Sequence, residues 1–267
     1  MSDTTLAITP ENATLRKEYQ ALQSEFLDLY TQHRHMVDDE SVILTSVYIK
    51  ELGYLQHELF KKQTEQSRLK MKIKLIQACY NRNEMPDLQS IERQLDKELA
   101  DYYEQIKKQA EDYETSLNIL SNLISEEEVT QLKEIFRLLC KRLHPDLNPY
   151  QTEEEKELFI KVKAAYDLGR LSELQEILLY IDQIGADTPS TITKNSLQEN
   201  IEHLRKNIQS LKEKITALEQ SFPFTVKNLL SDREVLTEKQ EEIKLQIKIV
   251  EEKIQQYNHQ LNLMIIE

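Results

Sequence analysis

The sequence predicts an all-α protein built from long amphipathic helices, and three observations carry that prediction. The chain has only 3 glycines and 6 prolines in 267 residues, so positions that break helices are few. It is rich in Leu, Glu, Lys and Gln, which favour helices. Apolar residues recur three and four positions apart over most of its length, which places them on one helix face. We therefore expect long antiparallel coiled-coil hairpins flanking a shorter helical hairpin.

Composition and charge also argue against several function classes. The formal net charge of −13 disfavours general binding to nucleic acid or to an anionic membrane. The shortage of glycine leaves no phosphate-cradling loop and no dinucleotide-binding turn, so no nucleotide cofactor is expected. No apolar run approaches the ~20 residues of a membrane span, and the N-terminus lacks a secretory pattern. Cys79 and Cys140 stand far apart, so we expect a reduced, cytoplasmic protein without disulfide or metal.

Residues 1–124 are predicted to form an N-terminal helical region. Leu15, Leu22 and Leu29 mark a short helix that we expect to end near residues 33–41. The histidines and aspartates of that stretch favour a solvated helix end over a metal pair, because positions two apart on a helix face different ways.

Two longer helices should follow in the same region, over about residues 42–80 and 88–123. The turn composition of residues 81–87 predicts that they fold back on each other as an antiparallel hairpin. The basic run at residues 61–74 is interpreted as the solvated face of a coiled coil, since no aromatic residues interleave for base stacking. Nucleic-acid binding thus ranks third among the functions considered.

The C-terminal part, residues 196–267, is predicted to be a second antiparallel coiled-coil hairpin after a linker at residues 184–195. Its heptads do not fix helix orientation, so a parallel homodimer is the competing arrangement. The break between its helices is apolar, and it is interpreted either as a contact for a client or partner or as the closed end of the hairpin. The residues concerned are Phe222, Phe224, Leu229 and Leu230.

Residues 125–183 are the most informative part of the chain. Ser125 with Glu128, and Thr152 with Glu155, form two capping boxes that start two amphipathic helices. Between these helices stands His144-Pro145-Asp146, where the proline disfavours helical geometry at the preceding residue. Cations recur along one face of the first helix and at its end, and these are Lys133, Arg137, Lys141 and Arg142.

This order of a basic helix, His-Pro-Asp, a polar loop and a helix reading F-x-x-V-x-x-A-Y resembles the central hairpin of DnaJ-type J domains. The resemblance covers residues 125–170. The usual opening helix of the family has no counterpart before Ser125, and Leu117, Leu120 and Leu123 are expected to cover the same apolar surface. The matching positions are Phe136, Arg137, Leu139, Cys140, Arg142, Leu143, His144, Pro145, Asp146, Asn148, Phe159, Val162, Ala165 and Tyr166.

The resemblance implies a partner and roles for these residues. It implies that His144, Pro145 and Asp146, with Asn148 stabilising the loop, engage a DnaK-type heat-shock ATPase and promote its ATP hydrolysis. Lys133, Arg137, Lys141 and Arg142 would form the docking face. No catalytic group of residues is found, so we expect a cochaperone and not an enzyme, with coiled coils that recruit an unknown client. The alternative is a structural coiled-coil adaptor that has a J-like fold without chaperone coupling.

Overall fold

The computed structural model describes residues 10–123, 125–184 and 194–266, and these residues form helices joined by short connections, with no β-strand. The prediction of an all-α fold is therefore confirmed. In chain order the α-helices are α1 (Pro10–His35), α2 (Ser41–Tyr48), α3 (Tyr54–Asn81), α4 (Leu88–Glu98), α5 (Ala100–Ser121), α6 (Glu126–Leu143), α7 (Glu153–Asp167), α8 (Leu171–Ile184), α9 (Lys194–Glu219), α10 (Lys227–Ser231) and α11 (Arg233–Ile266). None of these helices combines the length and apolar character that crossing a membrane requires.

Several helix boundaries differ from those expected from the sequence. α1 ends at His35, inside the expected range 33–41, but the chain does not leave helical geometry there, because a π-helical segment, Met36–Glu40, continues the backbone into α2. A second π-helical segment, Ile49–Gly53, joins α2 to α3. Polar residues at a helix end and polar residues in a π-turn give the same sequence pattern, and such turns cluster at functional or strained positions.

The described chain divides into two compact units that differ from the expected domains. The first comprises Met1–Val42 and Leu123–Phe224, and the second Ile43–Asn122 and Thr225–Glu267. Within the first unit α9 packs along α1, and within the second α11 packs along α3. The two helices of the expected C-terminal hairpin therefore belong to different units, because a heptad pattern specifies a buried face and not the partner that buries it. Most of the expected linker, residues 184–195, lies outside the described residues.

The first unit has one apolar core, and five helices contribute to it. α6 and α7 pack as a hairpin, α8 covers one side of it, and the pair α1 and α9 covers another. The buried residues of this core are Tyr19, Phe26, Leu27, Leu132, Phe136, Leu139, Cys140, Leu143, Leu147, Phe159, Val162, Ala165, Tyr166, Leu174, Ile177, Leu197, Ile201, Leu204, Ile208 and Leu211. The hairpin that resembles a J domain is thus part of a larger folded body.

The second unit is a bundle of α3, α4, α5 and α11. Its smaller core is formed by Ile73, Ile76, Ile91, Leu95 and Leu261. The helix expected over residues 88–123 is interrupted at Leu99, where the backbone leaves helical geometry. Cations of the run at residues 61–74 form ion pairs inside this unit, among them Arg68 with Asp96 at 2.6 Å and Lys62 with Glu251 at 3.2 Å. Side chains used in this way are less available to nucleic acid.

Gly169 ends α7 in the left-handed conformation that its position in the sequence suggests. Its φ is +63°, its amide donates to the Tyr166 carbonyl at 2.9 Å, and the amide of Arg170 donates to the Ala165 carbonyl at 2.9 Å. This pair of hydrogen bonds is the Schellman motif, which satisfies carbonyls at the end of a helix. The motif turns the chain from α7 directly into α8.

Replacing Gly169 with alanine should lower the free energy of unfolding by about 1 kcal/mol, because a Cβ atom disfavours the left-handed region. A Cβ at this position would meet no atom within 4 Å, so the loss reflects backbone conformation and not a clash. Urea unfolding followed by circular dichroism measures it. Gly169→Asn is the matched control, since asparagine tolerates this conformation better and should cost less. An equal loss in both variants would contradict the backbone explanation.

Candidate functional site

The loop between α6 and α7 is held by helix ends that its own sequence determines. Both expected capping boxes are present: the amide of Glu128 donates to Ser125 Oγ at 3.2 Å, and the amide of Glu155 donates to Thr152 Oγ1 at 3.2 Å. α6 ends at Leu143, and His144 has an extended backbone with φ −73° and ψ 130°. Pro145 requires this conformation of the residue before it.

His144 anchors the loop to the core. Only 7% of its surface is exposed. Its ring stands edge-on to Phe26 and Tyr30 of α1, with centroids 4.9 and 4.4 Å away, and to Phe159 of α7 at 5.0 Å. Edge-to-face packing at these distances is favourable and restricts the orientation of the imidazole. The side chain of His144 is therefore a structural element of the loop and not a free ligand.

The buried imidazole is neutral near pH 7 and accepts a hydrogen bond. Burial lowers the pKa of His144 to about 4, while the nearby Asp146 carboxylate opposes this shift and Lys163 adds to it. The amide of Asp146 donates to His144 Nδ1 at 3.1 Å, so the ring proton lies on Nε2. His144 thus fixes the backbone of Asp146 directly, through a bond inside the tripeptide.

Asp146 lies at the surface of the loop but has a partner within the chain. The residue is half-buried, and its Oδ2 accepts a hydrogen bond from Nδ2 of Asn207 on α9 at 2.7 Å. Pro145, immediately before it, is exposed. The loop therefore presents a carboxylate whose position is restricted by its own backbone and by a distant helix, beside a rigid apolar residue.

Further hydrogen bonds fix the two ends of the loop. Asn148 Nδ2 donates to the Lys141 carbonyl at 3.1 Å, which satisfies a carbonyl in the last turn of α6. Gln23 Nε2 of α1 donates to the Leu147 carbonyl at 3.3 Å. The amide of Leu147 donates to the His144 carbonyl at 3.0 Å. The role expected for Asn148, stabilising the loop, agrees with these contacts.

The expected basic docking face is largely engaged inside the unit. Arg137 pairs with Asp28 of α1, and Arg142 pairs with Asp182 of α8. The ammonium of Lys133 lies 3.0 Å from Nε2 of His35 on α1. Lys133 and Lys141 of this face form no ion pair among the described residues, and of these two Lys133 is half-buried whereas Lys141 is exposed. Helix periodicity puts these cations on a shared side but does not reveal that other helices supply carboxylates to them.

The hairpin is covered by a helix that the sequence did not indicate. Leu123, the one residue of the expected set that belongs to the first unit, is 47% exposed and is not part of the core of that unit. α1 covers the hairpin through Tyr19, Phe26 and Leu27. The segment directly before α6 was expected to cover the hairpin because it is adjacent in sequence. The contacts of α1 with the hairpin join residues about a hundred positions apart, and no short sequence pattern indicates such contacts.

The four apolar residues at the break between the helices of the expected C-terminal hairpin do not form one exposed patch. Phe224 is buried, and Leu229 and Leu230 are partly buried. Phe222 is 52% exposed and is the most accessible of the four. At the start of α11, Asp232 caps the helix by accepting from the amides of Glu234 and Val235 at 3.0 and 3.2 Å.

Asn207 and Gln23 are the residues at the loop that sequence reasoning missed. Asn207 stands 61 positions from Asp146, and Gln23 stands 124 positions from Leu147. Both are amides beside the apolar seam of an amphipathic helix, which is a common and uninformative place for such residues. Only the packing of α1 and α9 onto the hairpin brings them to the loop.

Comparison of the chain with models of protein families, with curated proteins and with solved structures gives no match. The resemblance to J domains therefore rests on the residues of α6, the loop and α7 alone.

The lowered pKa of His144 predicts a pH dependence of stability. In the unfolded state the His144 imidazole has a pKa of 6.5, and in the folded state its pKa is about 4. Between these values the unfolded state binds more protons, so the free energy of unfolding decreases as the pH falls. We expect a loss on the order of 2 kcal/mol between pH 7 and pH 4.5, measured by urea unfolding. His144→Asn keeps an acceptor but cannot titrate, so its stability should change less over this range. If the free energy of unfolding changed equally with pH in wild type and in His144→Asn, the pH dependence would not come from His144.

Proposed function

We propose that this protein is a J-type cochaperone that docks on a DnaK-type ATPase and stimulates its ATP hydrolysis. The observation that carries the proposal is the position of Asp146, a half-exposed carboxylate held at the bend between α6 and α7. A group restricted before binding loses less conformational entropy when a partner docks, so more of its interaction energy is available for affinity.

The chemistry of this carboxylate suits an arginine on the partner. A carboxylate offers about four lone-pair sites on two oxygens, and Asn207 uses one of them on Oδ2. A guanidinium could therefore approach Asp146 and form charge-assisted hydrogen bonds, which are roughly twice as strong as neutral ones. Pro145 beside it adds an exposed apolar contact that costs no backbone entropy.

The rest of the chain would deliver the stimulated ATPase to a client. Long helices outside the hairpin provide extended surfaces, and the partly exposed Phe222 is a candidate contact for a client or partner. We place this activity in the cytoplasm, in agreement with the free thiols of Cys79 and Cys140. The client itself is to be found by capture on the intact chain.

Single-turnover ATP hydrolysis by the DnaK-type chaperone of the same organism tests the proposal. The 267-residue chain should raise the hydrolysis rate in a concentration-dependent way and should bind the chaperone with ATP present. A rate that stays at the basal value, at protein concentrations well above those of the chaperone, would contradict the proposal.

A structural adaptor without chaperone coupling is the second candidate. The ion pairs of Arg137 and Arg142 within the chain favour it, because cations already paired steer a partner less effectively. On this hypothesis the helices bind other proteins and the loop has only a structural role. The same hydrolysis assay separates the two functions, since an adaptor leaves the rate unchanged.

A further inference from the structure

The middle of α9 lies against the loop, and its polar side chains continue the surface around Asp146. Asn207 Nδ2 is 2.7 Å from Asp146 Oδ2, and the ring Nδ1 of His203, one helical turn earlier, is 3.4 Å from the same amide nitrogen. His203 is exposed and Asn207 is half-buried. The carboxylate, the amide and the imidazole thus form a row that leads from the loop onto α9.

The α6 cations nearest α1 are less available to a partner. Lys133 and Arg137 point to α1, where His35 and Asp28 already contact them. Pro145 of the loop and Lys141 and Arg142 at the end of α6 are exposed, and of the two cations only Arg142 is paired, with Asp182 of α8. A partner that reaches Asp146 therefore meets the end of α6, the loop and α9 before it meets the α6 cations nearer α1.

We propose that the docking surface for the ATPase continues from the loop onto α9, with Asn207 as the residue that positions Asp146. This inference rests on the proposed cochaperone function and names the surface that function uses. The partner's contribution is a cationic group, a guanidinium by its geometry, that approaches Asp146 from the side of α9.

The hydrogen bond from Asn207 restricts the carboxylate to one orientation. Without it the Asp146 side chain rotates about its own bonds, while its backbone stays bonded to His144. A bidentate contact with a guanidinium needs both oxygens in a defined plane, so loss of this restriction weakens docking without removing the charge.

Asn207 itself is fixed by the packing of α9. Leu204 and Ile208, on either side of it, are buried in the core of the first unit. Ion pairs to α1 hold the same stretch of helix, with Lys212 at 2.7 Å from Glu25 and Arg205 paired with Glu18. The helix is therefore a firm support for the amide, and the docking site depends on a segment beyond the α6–α7 hairpin.

Variants of the 267-residue chain test the inference in the hydrolysis assay. Asn207→Leu keeps the approximate shape of the side chain but donates no hydrogen bond, and Asn207→Asp adds repulsion next to Asp146. We expect Asn207→Leu to raise the protein concentration for half-maximal stimulation about three- to tenfold at an unchanged maximal rate. Asn207→Asp should raise it further. Gln209→Leu, an amide replaced on an exposed face of α9, is the matched control and should behave as wild type.

The possible outcomes separate this inference from the function on which it rests. If wild type stimulates, Asp146→Asn does not, and Asn207→Leu equals wild type, only the role of α9 is overturned. Stronger stimulation by Asn207→Leu would mean that the amide sequesters Asp146, which also overturns it. If Asn207→Leu melted at a lower temperature but needed the wild-type concentration for half-maximal stimulation, Asn207 would have a purely structural role and the inference would be overturned. If wild type itself fails to stimulate, the cochaperone function and this inference fail together.

Discussion

Replacing Asp146 with asparagine should abolish the stimulation of a DnaK-type ATPase while the protein stays folded. Asparagine has nearly the same shape, and its amide oxygen can still accept the hydrogen bond from Asn207. What is lost is the negative charge, and removing one member of a close charge pair at an interface costs 2–5 kcal/mol or more, which is at least about thirtyfold in affinity. Single-turnover hydrolysis over a range of protein concentrations measures the loss.

The matched control is Asp101→Asn, which makes the same chemical change at an exposed position of α5 in the other unit. It should stimulate as wild type does, and both variants should keep the wild-type circular dichroism spectrum. Stimulation by Asp146→Asn at the wild-type level would show that the loop carboxylate is not the contact. The proposed mechanism would then be abandoned, whatever the wild-type rate.

Replacing Leu139 with alanine should cause the largest loss of stability. Leu139 lies on the inner face of α6 with 0% of its surface exposed, in the core that α1, α7, α8 and α9 share. Truncating a fully buried leucine removes its transfer free energy and leaves a cavity that the surrounding helices only partly fill. Losses of 2–5 kcal/mol are typical. Urea unfolding followed by far-ultraviolet circular dichroism measures the change, since the chain has no tryptophan.

Leu138 provides the control within the same turn of the helix. It is 48% exposed, so Leu138→Ala makes the same chemical change while little buried surface is lost. We expect the free energy of unfolding to change by less than about 1 kcal/mol. If the two variants were equally destabilised, α6 would not face the core as described, and the assignment of the loop and its neighbours would need revision.

Local features of this chain could be predicted because their causes are local. The capping boxes at Ser125 and Thr152 and the left-handed Gly169 each depend on a few adjacent residues, and all three are present. The apolar spacing of Leu204 and Ile208 likewise predicted which face of α9 is buried. The helical class of the protein follows from the same short-range preferences.

Pairing between distant helices could not be predicted, and the site depends on it. Many faces in this chain have similar heptads, so the free energies of alternative pairings differ through side-chain shape and charge and not through the pattern. The pairing of α1 with α9 brings Asn207 and Asp28 to the hairpin. For that reason the sequence predicted the carboxylate of the loop but neither its hydrogen-bond donor nor the acids that engage the α6 cations.

The pairing of α1 with α9 also has a consequence for how the protein is made. Synthesis on the ribosome produces α1 first, whereas its partner is complete only when Glu219 has emerged. Until then Phe26 and Leu27 lack the helix that completes their burial, and contacts this distant in sequence form slowly. Until α9 is synthesised, part of the apolar face of α1 therefore stays exposed to solvent, and such transiently exposed surface is prone to aggregation.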